Sequence, residues 1–286
     1  MIWVDGKIVG DDDLKLSVLD RTFEHGLGLF ETLRTWSGRA PLLERHLQRM
    51  ESSARELGIS LNSVSLPDQE AVVRLVDAEG IGGDVALRIT LTGGRDAIQG
   101  STLFMRTRPL PVEMRREGAV VDLGSWRVDM DDPLARHKSL NYWTRRRAFE
   151  SAQLLGFDET LSAFDVLSVE LAALEGSRTN IFILCGETLT TPPLNVPIVP
   201  GIMRGLVIEL ARELGIEISQ KMCLVDQSFD RVEEMFLTNS VRGIIPVNKL
   251  IRADPLRVYE WPAPGRVTQR LRILTSDWLR SWGESS

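Results

Sequence analysis

Residues 192–218, PPLNVPIVPGIMRGLVIELARELGIEI, carry the strongest indication of the fold in this chain. Pro200 and Gly201 come directly before a run whose apolar residues recur at helical spacing. The apolar face of this predicted helix comprises Met203, Leu206, Val207, Leu210, Ala211 and Leu214. Strand patterns lie on both sides, TNIFIL before the helix and EMFLTN and GIIPVNKL after it. Strands that alternate with helices in this way predict an α/β or α+β fold.

The first third of the chain has the same mixture of strands and helices, and a segment typical of a linker follows it. MIWVDGKIV predicts a hairpin around Asp5 and Gly6, and residues 42–57 have the pattern of an amphipathic helix. The later segment RPLPVEMRREG contains two prolines and a run of charges. We therefore expect two domains that meet at a cleft: a small N-terminal domain over residues 1–108, a linker over 109–117 and a large C-terminal domain over 118–286.

The composition excludes several classes of protein. The 286 residues include 34 Lys and Arg against 40 Asp and Glu, so the net charge of −6 gives no overall attraction to nucleic acid or anionic lipid. No run approaches the ~18–20 apolar residues of a membrane span, and no signal-peptide pattern opens the chain. Cys185 and Cys223 are far apart, so we expect a reduced, cytoplasmic setting. The three histidines lack ligand spacing, and we expect no metal site.

Two residues have surroundings suited to covalent or proton-transfer chemistry. Lys138, in RHKSLNYW, lies at a predicted helix boundary beside Arg136 and His137. A desolvated lysine near other cations has a lowered pKa, which favours Schiff-base chemistry. Glu175, in LAALEGSRTNIF, ends an apolar strand, where its carboxylate could hold a proton on a ring nitrogen. On spacing alone, both also fit simpler roles as a solvated lysine and a surface acid.

Three further segments could bind an anion. The first backbone N–H groups of the predicted helix, those of Ile202 and Met203, lie at a helix N-terminus. Arg49, three residues after His46, could make a bidentate contact with a phosphate. In TNSVRGIIPV, Ser240 could offer a hydroxyl and Val241 a backbone N–H. Taken singly, these features favour an ordinary helix start, a solvated helix flank and a turn over an anion site.

The order and combination of these segments resemble the class IV pyridoxal 5′-phosphate (PLP) aminotransferases, also called fold type IV. The segments that match are DRTFEHGLGLFETLR, LLERHLQRM, HKSLNYW, LEGSRTNIF, TPPLNVPIVPGIMR and FLTNSVRGIIPV, in the family's order. The family includes branched-chain aminotransferases, D-amino-acid aminotransferases and aminodeoxychorismate lyases. The resemblance implies a fold type IV enzyme with PLP in the cleft between its two domains, and a homodimer.

The resemblance also implies roles for individual residues. Lys138 matches the lysine that forms the Schiff base, Glu175 the partner of the pyridine nitrogen, and Tyr142 a tyrosine near the 3-oxygen of PLP. The implied phosphate-binding groups are Arg49, the N–H groups of Ile202 and Met203, and the hydroxyl of Ser240. The candidates for substrate contacts are Thr32, Arg88, Arg95 and Val241, and both arginines equally fit a plain surface role.

Departures from the family's pattern leave the substrate open. Met203 stands where the family often has Thr, and His25 where branched-chain enzymes usually carry Tyr. Thr32 occupies a position that is Gly in many branched-chain enzymes and Thr in some lyases. The first hypothesis is an aminotransferase acting on an amino acid, for example a branched-chain one, and a 2-oxo acid. The second is an aminodeoxychorismate lyase that releases pyruvate and 4-aminobenzoate. The third is a protein that binds PLP without turnover, or a cofactor-free α/β module.

Overall fold

A computed structural model describes residues 1–62, 64–96, 98, 100–111, 117–166, 170–225, 229–253 and 255–285. The chain divides into two compact units. The first unit consists of Met1–Pro111, His137–Asn141 and Trp278–Ser286, and the second of Val112–Arg136 and Tyr142–Asp277. The sequence placed the two later segments of the first unit in the C-terminal domain, so the division differs there. The central residues of the predicted linker, 112–116, lie outside the described residues.

The first unit is built on a five-stranded antiparallel sheet with the order β2-β1-β5-β4-β3. Its strands are β1 (Ile2–Val4), β2 (Lys7–Val9), β3 (Gly28–Arg34), β4 (Val85–Thr92) and β5 (Leu103–Pro109). Its helices are α1 (Arg21–His25), α2 (Leu43–Glu56) and α3 (Gln69–Glu79). The helix predicted over residues 42–57 is confirmed as α2, whereas the short α1 was not predicted.

Local sequence explains where these elements begin and turn. Asp5 and Gly6 both have positive φ, at 47° and 79°, which is the backbone of a two-residue hairpin turn between β1 and β2. The predicted hairpin is therefore confirmed. Helix α3 begins two residues after Pro67, because Asp68 is the N-cap and its carboxylate accepts a hydrogen bond from the N–H of Ala71 at 2.8 Å.

One face of the first sheet packs against α2 to form the core of this unit. The buried side chains there include Leu29, Leu33, Leu87 and Ile89 from the sheet and Leu43, Leu47, Met50 and Ala54 from α2. Because side chains alternate along a strand, the residues between them in sequence point to the opposite face. That opposite face carries Phe30, Thr32 and Arg88.

The second unit contains a ten-stranded sheet and its associated helices. Its strands are β6 (Ala119–Arg127), β7 (Glu159–Val166), β8 (Glu170–Gly176), β9 (Asn180–Cys185), β10 (Thr188–Thr191), β11 (Glu217–Gln220), β12 (Cys223–Leu224), β13 (Glu234–Asn239), β14 (Gly243–Arg252) and β15 (Arg257–Glu260). Its helices are α4 (Trp143–Leu154), α5 (Ile202–Glu213), a 3₁₀ turn (Phe229–Arg231) and α6 (Arg266–Ser285), the last residues of which belong to the first unit.

Six strands of this sheet close into a barrel in the order β9-β13-β14-β6-β7-β8, and the pair Glu175 and Asn180 joins β8 back to β9. The strands pair in parallel at β14–β6 and β6–β7 and in antiparallel fashion elsewhere in the ring. A cluster of buried apolar side chains, including Val121, Leu161 and Ile181, fills this unit. Closure places the ends of β8, β9 and β13 side by side. No helix among the described residues is long and apolar enough to cross a membrane.

Candidate active site

The segment that carries Lys138 is attached to β3 of the first unit by backbone hydrogen bonds. The N–H of Phe30 donates to the carbonyl of Lys138 at 2.9 Å, and the N–H of Leu140 donates to the carbonyl of Gly28 at 2.9 Å. Gly28, at φ 159°, allows this close approach, because a Cβ there would lie 2.6 Å from the side chain of Leu140. The ammonium Nζ of Lys138 lies 4.5 Å from the centroid of the Phe30 ring. Lys138 is therefore half-buried and fixed, unlike a freely solvated lysine.

Arg88 shares the Phe30 ring with Lys138. Its guanidinium carbon lies 3.9 Å from the same ring centroid. Both cations therefore lie against one aromatic ring. Thr32 lies opposite Arg88 in the pairing of β3 with β4 and therefore faces the same side of the sheet. Arg95, in contrast, is exposed in the loop after β4.

Arg106 also lies on this face, and the sequence did not identify it as a candidate. It is directly opposite Arg88 in the pairing of β4 with β5. Its Nε atom is buried, and none of the residues that the structure describes provides it with a hydrogen-bond partner. Burial and the charge of Arg108 lower the pKa of Arg106, while the exposed Asp11 opposes them. Like charges directly opposite on a sheet repel. The alternating Arg residues of FMRTRP were the available signal.

Arg49, the predicted phosphate ligand, is part of a buried cluster on the other side of this sheet. Its Nε and Nη2 donate to the two carboxylate oxygens of Glu31 at 2.8 and 2.5 Å, and His46 Nδ1 lies 2.6 Å from Glu31 Oε2. Although burial raises it, the charges of Arg49 and His46 lower the pKa of Glu31 to about 2. Because this carboxylate only accepts, His46 donates through Nδ1. The bidentate contact with Glu31 fixes the orientation of the Arg49 guanidinium.

In the second unit, Glu175 ends β8 and is held by donors from three directions. Arg145 Nη2 donates to Oε1 at 2.5 Å, while the side chain of Asn180 and the backbone N–H of Val199 donate to Oε2 at 3.2 and 3.1 Å. Two residues further on, the carbonyl of Ser177 accepts a 2.6 Å hydrogen bond from the hydroxyl of Tyr142. Burial is the main cause that raises the pKa of Tyr142 to about 12, so its hydroxyl is protonated at neutral pH.

The predicted helix start is confirmed, since Gly201 is the N-cap of α5, and no side chain in the described part of the chain caps this helix. The first N–H groups of α5, on Ile202 and Met203, are donors that point out of the helix end. Gly201 is required by space, because a Cβ at this position would lie 1.8 Å from Asn180 Oδ1. Asn180 therefore links Glu175 to the N-terminus of α5. The sequence suggested no role for it, although it lies in the segment LEGSRTNIF.

The turn that carries Ser240 is tied to the same edge of the barrel. Thr238, two residues earlier in β13, pairs with Asn180 in β9. Asn239 closes the turn, since its Oδ1 accepts from the N–H groups of Val241 and Arg242 at 3.1 and 2.8 Å. The backbone donor of Val241 that the sequence offered to a substrate is thus already bonded within the turn. The second unit accordingly brings together Glu175, the start of α5 and the Ser240 turn.

The residues of the second unit fit PLP in their donor chemistry. The carboxylate of Glu175 is held by N–H donors, and a carboxylate is also the group that can accept a charge-assisted hydrogen bond from a protonated ring nitrogen. The uncapped start of α5 suits a phosphate, because a helix N-terminus combines free N–H groups with a favourable dipole. In the first unit, Lys138 carries the kind of amine that a Schiff base requires.

These features define an enzyme built for an anionic ring cofactor, and comparison with known proteins gives its family. The sequence profile described as "Amino-transferase class IV" matches residues 28–250. The chain belongs to the class IV aminotransferase family, whose enzymes depend on PLP. The fold is accordingly fold type IV, with the small N-terminal sheet and the larger barrel domain described above. The expected family, fold and cofactor are thus confirmed.

Individual relatives carry the names of two different activities. A protein of Methanocaldococcus jannaschii, which bears the provisional name of a branched-chain-amino-acid aminotransferase, is 30% identical and covers 99% of this chain and 97% of its own. The branched-chain aminotransferase of Thermoproteus uzoniensis has a TM-score of 0.83 at 25% identity, covering 99% of this chain and 96% of its own. The 4-amino-4-deoxychorismate lyase of Pseudomonas aeruginosa has a TM-score of 0.80 at 28% identity, and the match covers 98% of this chain and 100% of the lyase.

Proposed function

We propose that this enzyme is an aminotransferase that moves an amino group between an amino acid and a 2-oxo acid. The observation that carries this proposal is that Lys138 and Arg88 share the ring of Phe30. An amino acid carries its amine and its carboxylate on one carbon. An enzyme that exchanges the amine therefore needs a reactive amine close to a cation that can hold the carboxylate. Lys138 and Arg88 supply these two groups on one face of one sheet.

The remaining residues bind and orient the cofactor under this proposal. Arg49, the first N–H groups of α5 and the hydroxyl of Ser240 would hold the phosphate. Tyr142, whose hydroxyl stays protonated, would face the 3-oxygen, and Glu175 would hold a proton on the pyridine nitrogen. When bound, PLP supplies an electron sink for the bonds at the substrate's α-carbon. Nζ of Lys138, once released from the cofactor, would take the proton from that carbon and give it to C4′ of the cofactor, and it would reverse this transfer when the 2-oxo acid accepts the amino group.

The face that carries Arg88 bears on the choice of substrate. The ring of Phe30 is buried against Lys138 and Arg88, and this apolar neighbour of the amine suits a branched-chain amino donor. The opposed pair Arg88 and Arg106 favours an anionic acceptor, because a second carboxylate would offset their repulsion. We therefore expect a dicarboxylic 2-oxo acid such as 2-oxoglutarate as the amino acceptor. The homodimer and the cytoplasmic setting stay predictions.

A second candidate function, aminodeoxychorismate lyase, is favoured by one residue. Thr32 faces the same side of the sheet as Arg88 and lies directly opposite it. Some lyases of the family carry Thr at this position, and a lyase is among the similar solved structures. The lyase would use the same Lys138 but release pyruvate and 4-aminobenzoate instead of passing an amino group to a 2-oxo acid.

The decisive experiment treats the PLP-loaded enzyme with single L- and D-amino acids in the absence of any 2-oxo acid. An aminotransferase loses the visible absorption of its bound PLP as the amino group is transferred to the cofactor. Lys138→Ala should abolish this change and lower turnover by at least about 10⁴-fold, the upper range of general acid–base catalysis. Lys7→Ala, at an exposed lysine of β2, is the matched control. The aminotransferase proposal fails if no amino acid bleaches the wild type while aminodeoxychorismate yields 4-aminobenzoate.

A further inference from the structure

Arg145 forms a buried ion pair with the carboxylate that faces the cofactor under the proposed function. Its Nη2 lies 2.5 Å from Glu175 Oε1, and the side chains of Arg145 and Glu175 are only 14% and 3% exposed. The same nitrogen donates to the carbonyl of Ala135 at 3.3 Å, and the guanidinium carbon lies 5.2 Å from the ring of Trp126. Arg145 is thus fixed by partners other than Glu175. Burial alone would lower its pKa, but Glu175 raises it, so Arg145 is a permanent cation.

The carboxylate of Glu175 would have two positive partners, Arg145 and the protonated pyridine nitrogen of PLP. Oε1 of Glu175 accepts from the charged Arg145, whereas Oε2 accepts from the neutral groups of Asn180 and Val199. Other groups that interact electrostatically with Glu175 are Arg204 of α5, which is itself buried, and the neutral Tyr142. A protonated pyridine nitrogen would have to share the negative charge of Glu175 with the guanidinium.

We propose that Arg145 is a positioning residue that limits how tightly Glu175 holds the proton on the pyridine nitrogen of PLP. The inference rests on the proposed function, because it assigns Glu175 to that nitrogen. The physical reason is the sign of the charges: the carboxylate raises the proton affinity of the nitrogen, and the nearby guanidinium reduces that effect. Removal of Arg145 and removal of Glu175 must therefore shift the titration of the nitrogen in opposite directions.

The chain offers a matched control beside Arg145. Arg146 is the next residue of α4 and has the same side chain, but it is 67% exposed and pairs with Glu150 at 2.6 Å. Arg146→Gln removes the same charge from the same helix without touching Glu175. A long-range effect of net charge on the cofactor would appear equally in both variants. A local effect through Glu175 would appear only when Arg145 is changed.

The experiment titrates the ring nitrogen directly in the holoenzyme, reconstituted with PLP that carries ¹⁵N in its ring. The ¹⁵N chemical shift against pH reports the fraction of protonated nitrogen without reference to turnover. Arg145→Gln should raise the pH of half-protonation by about one unit, the expected size for one nearby charge. Arg146→Gln should leave it unchanged, and Arg145→Lys, which keeps a positive charge, should lie between wild type and Arg145→Gln.

A cycle with Glu175→Gln keeps the test valid if Arg145→Gln leaves a lone buried carboxylate and does not fold. Glu175→Gln should lower the half-protonation pH, since the nitrogen then faces Arg145 without its carboxylate. The double variant Arg145→Gln/Glu175→Gln, which buries no unpaired charge at this pair, should lie above Glu175→Gln alone. Equal values for these two variants would overturn the role of Arg145. A wild-type titration in Glu175→Gln would instead refute the assignment of Glu175, and with it the proposed site.

Discussion

Each compact unit of this enzyme contains a buried arginine–glutamate pair, and the carboxylates of the two pairs are bonded differently. In the first unit, Arg49 grips both oxygens of Glu31 in a bidentate contact, and His46 adds a third bond. In the second unit, Arg145 reaches only one oxygen of Glu175.

The difference separates a carboxylate that serves the fold from one that serves a ligand. Glu31 accepts from Arg49 and from the ring of His46, which both belong to helix α2. These bonds fix the helix on the sheet and orient the Arg49 side chain. Glu175 receives one charged and two neutral donors from α4, from β9 and from the segment before α5. A bidentate pair is the stronger clamp. A carboxylate bonded at one oxygen by arginine is held less rigidly by that arginine than one bonded at both oxygens.

The largest effect is expected where the bidentate pair is broken. Glu31→Gln leaves Arg49 buried without its counter-charge, so we expect the free energy of unfolding to fall by about 3–5 kcal/mol. Urea denaturation measures this loss. Glu44→Gln, at an exposed position of the same helix, should change stability by less than about 0.5 kcal/mol. If the free energy of unfolding falls by less than about 1 kcal/mol in Glu31→Gln, the ion pair between Arg49 and Glu31 does not stabilise the first unit.

The second pair should respond chiefly in catalysis. Glu175→Gln keeps a hydrogen-bonding group but loses the charge that stabilises a protonated ring nitrogen, so kcat should fall about 10²–10³-fold. The affinity for PLP should change less, because the phosphate ligands are intact. Steady-state kinetics and cofactor release measure the two quantities, with the exposed Glu213→Gln as control. Near-normal kcat in Glu175→Gln would contradict the role assigned to this residue.

Acid should weaken the first pair in a defined pH window. Burial, with the charges of Arg49 and Lys138, lowers the pKa of His46 from 6.5, although Glu31 opposes this. The pKa of Glu31 falls from 4.5 to about 2. Since both values are lower in the folded state, the unfolded chain binds more protons, and stability falls as the pH decreases. His46 causes part of this loss of stability, beginning below pH 6.5. Glu31 causes a further loss of about 3 kcal/mol in the free energy of unfolding between pH 4.5 and 2.

Denaturation in urea at a series of pH values tests this window. Glu31→Gln should remove the part of the slope between pH 4.5 and 2 and keep the part that begins near pH 6.5. His46→Gln should do the reverse. If the stability of Glu31→Gln still falls by as much as that of the wild type below pH 4.5, other carboxylates cause the acid loss.

Elements that depend on residues close together in the chain could be predicted from the sequence. Periodic patterns gave α2, α5 and the first hairpin, because each depends on residues close together in the chain. The five-residue α1 lacks such a pattern and depends on a cap, since Asp20 accepts from the N–H of Thr22 at 2.8 Å. The order of the motifs gave Lys138, Glu175 and the start of α5 as candidates.

Long-range pairing could not be read in the same way. The closure of the barrel through Glu175 and Asn180 depends on strand register, which no local pattern specifies. In the sequence, Arg145 stands in a run of three arginines with nothing to distinguish it, and only the packing of α4 on the barrel brings it to Glu175. The attachment of His137–Asn141 to β3 likewise joins segments that are more than one hundred residues apart. Such contacts are tertiary, and these residues carry the unexpected features of the site.

The smallest expected effect concerns a third arginine, Arg106, which lacks the glutamate that Arg49 and Arg145 possess. Its buried Nε has no hydrogen-bond partner among the residues that the structure describes, and it faces Arg88. Arg106→Gln should raise KM for 2-oxoglutarate about tenfold to a hundredfold, the range for one bond between charged groups. KM for pyruvate, which has a single carboxylate, should change less than about threefold. Arg74→Gln, at an exposed arginine of α3, should alter neither value. If both acceptors lose affinity equally in Arg106→Gln, this arginine supports the sheet or binds the shared carboxylate, and the second carboxylate must be recognised elsewhere.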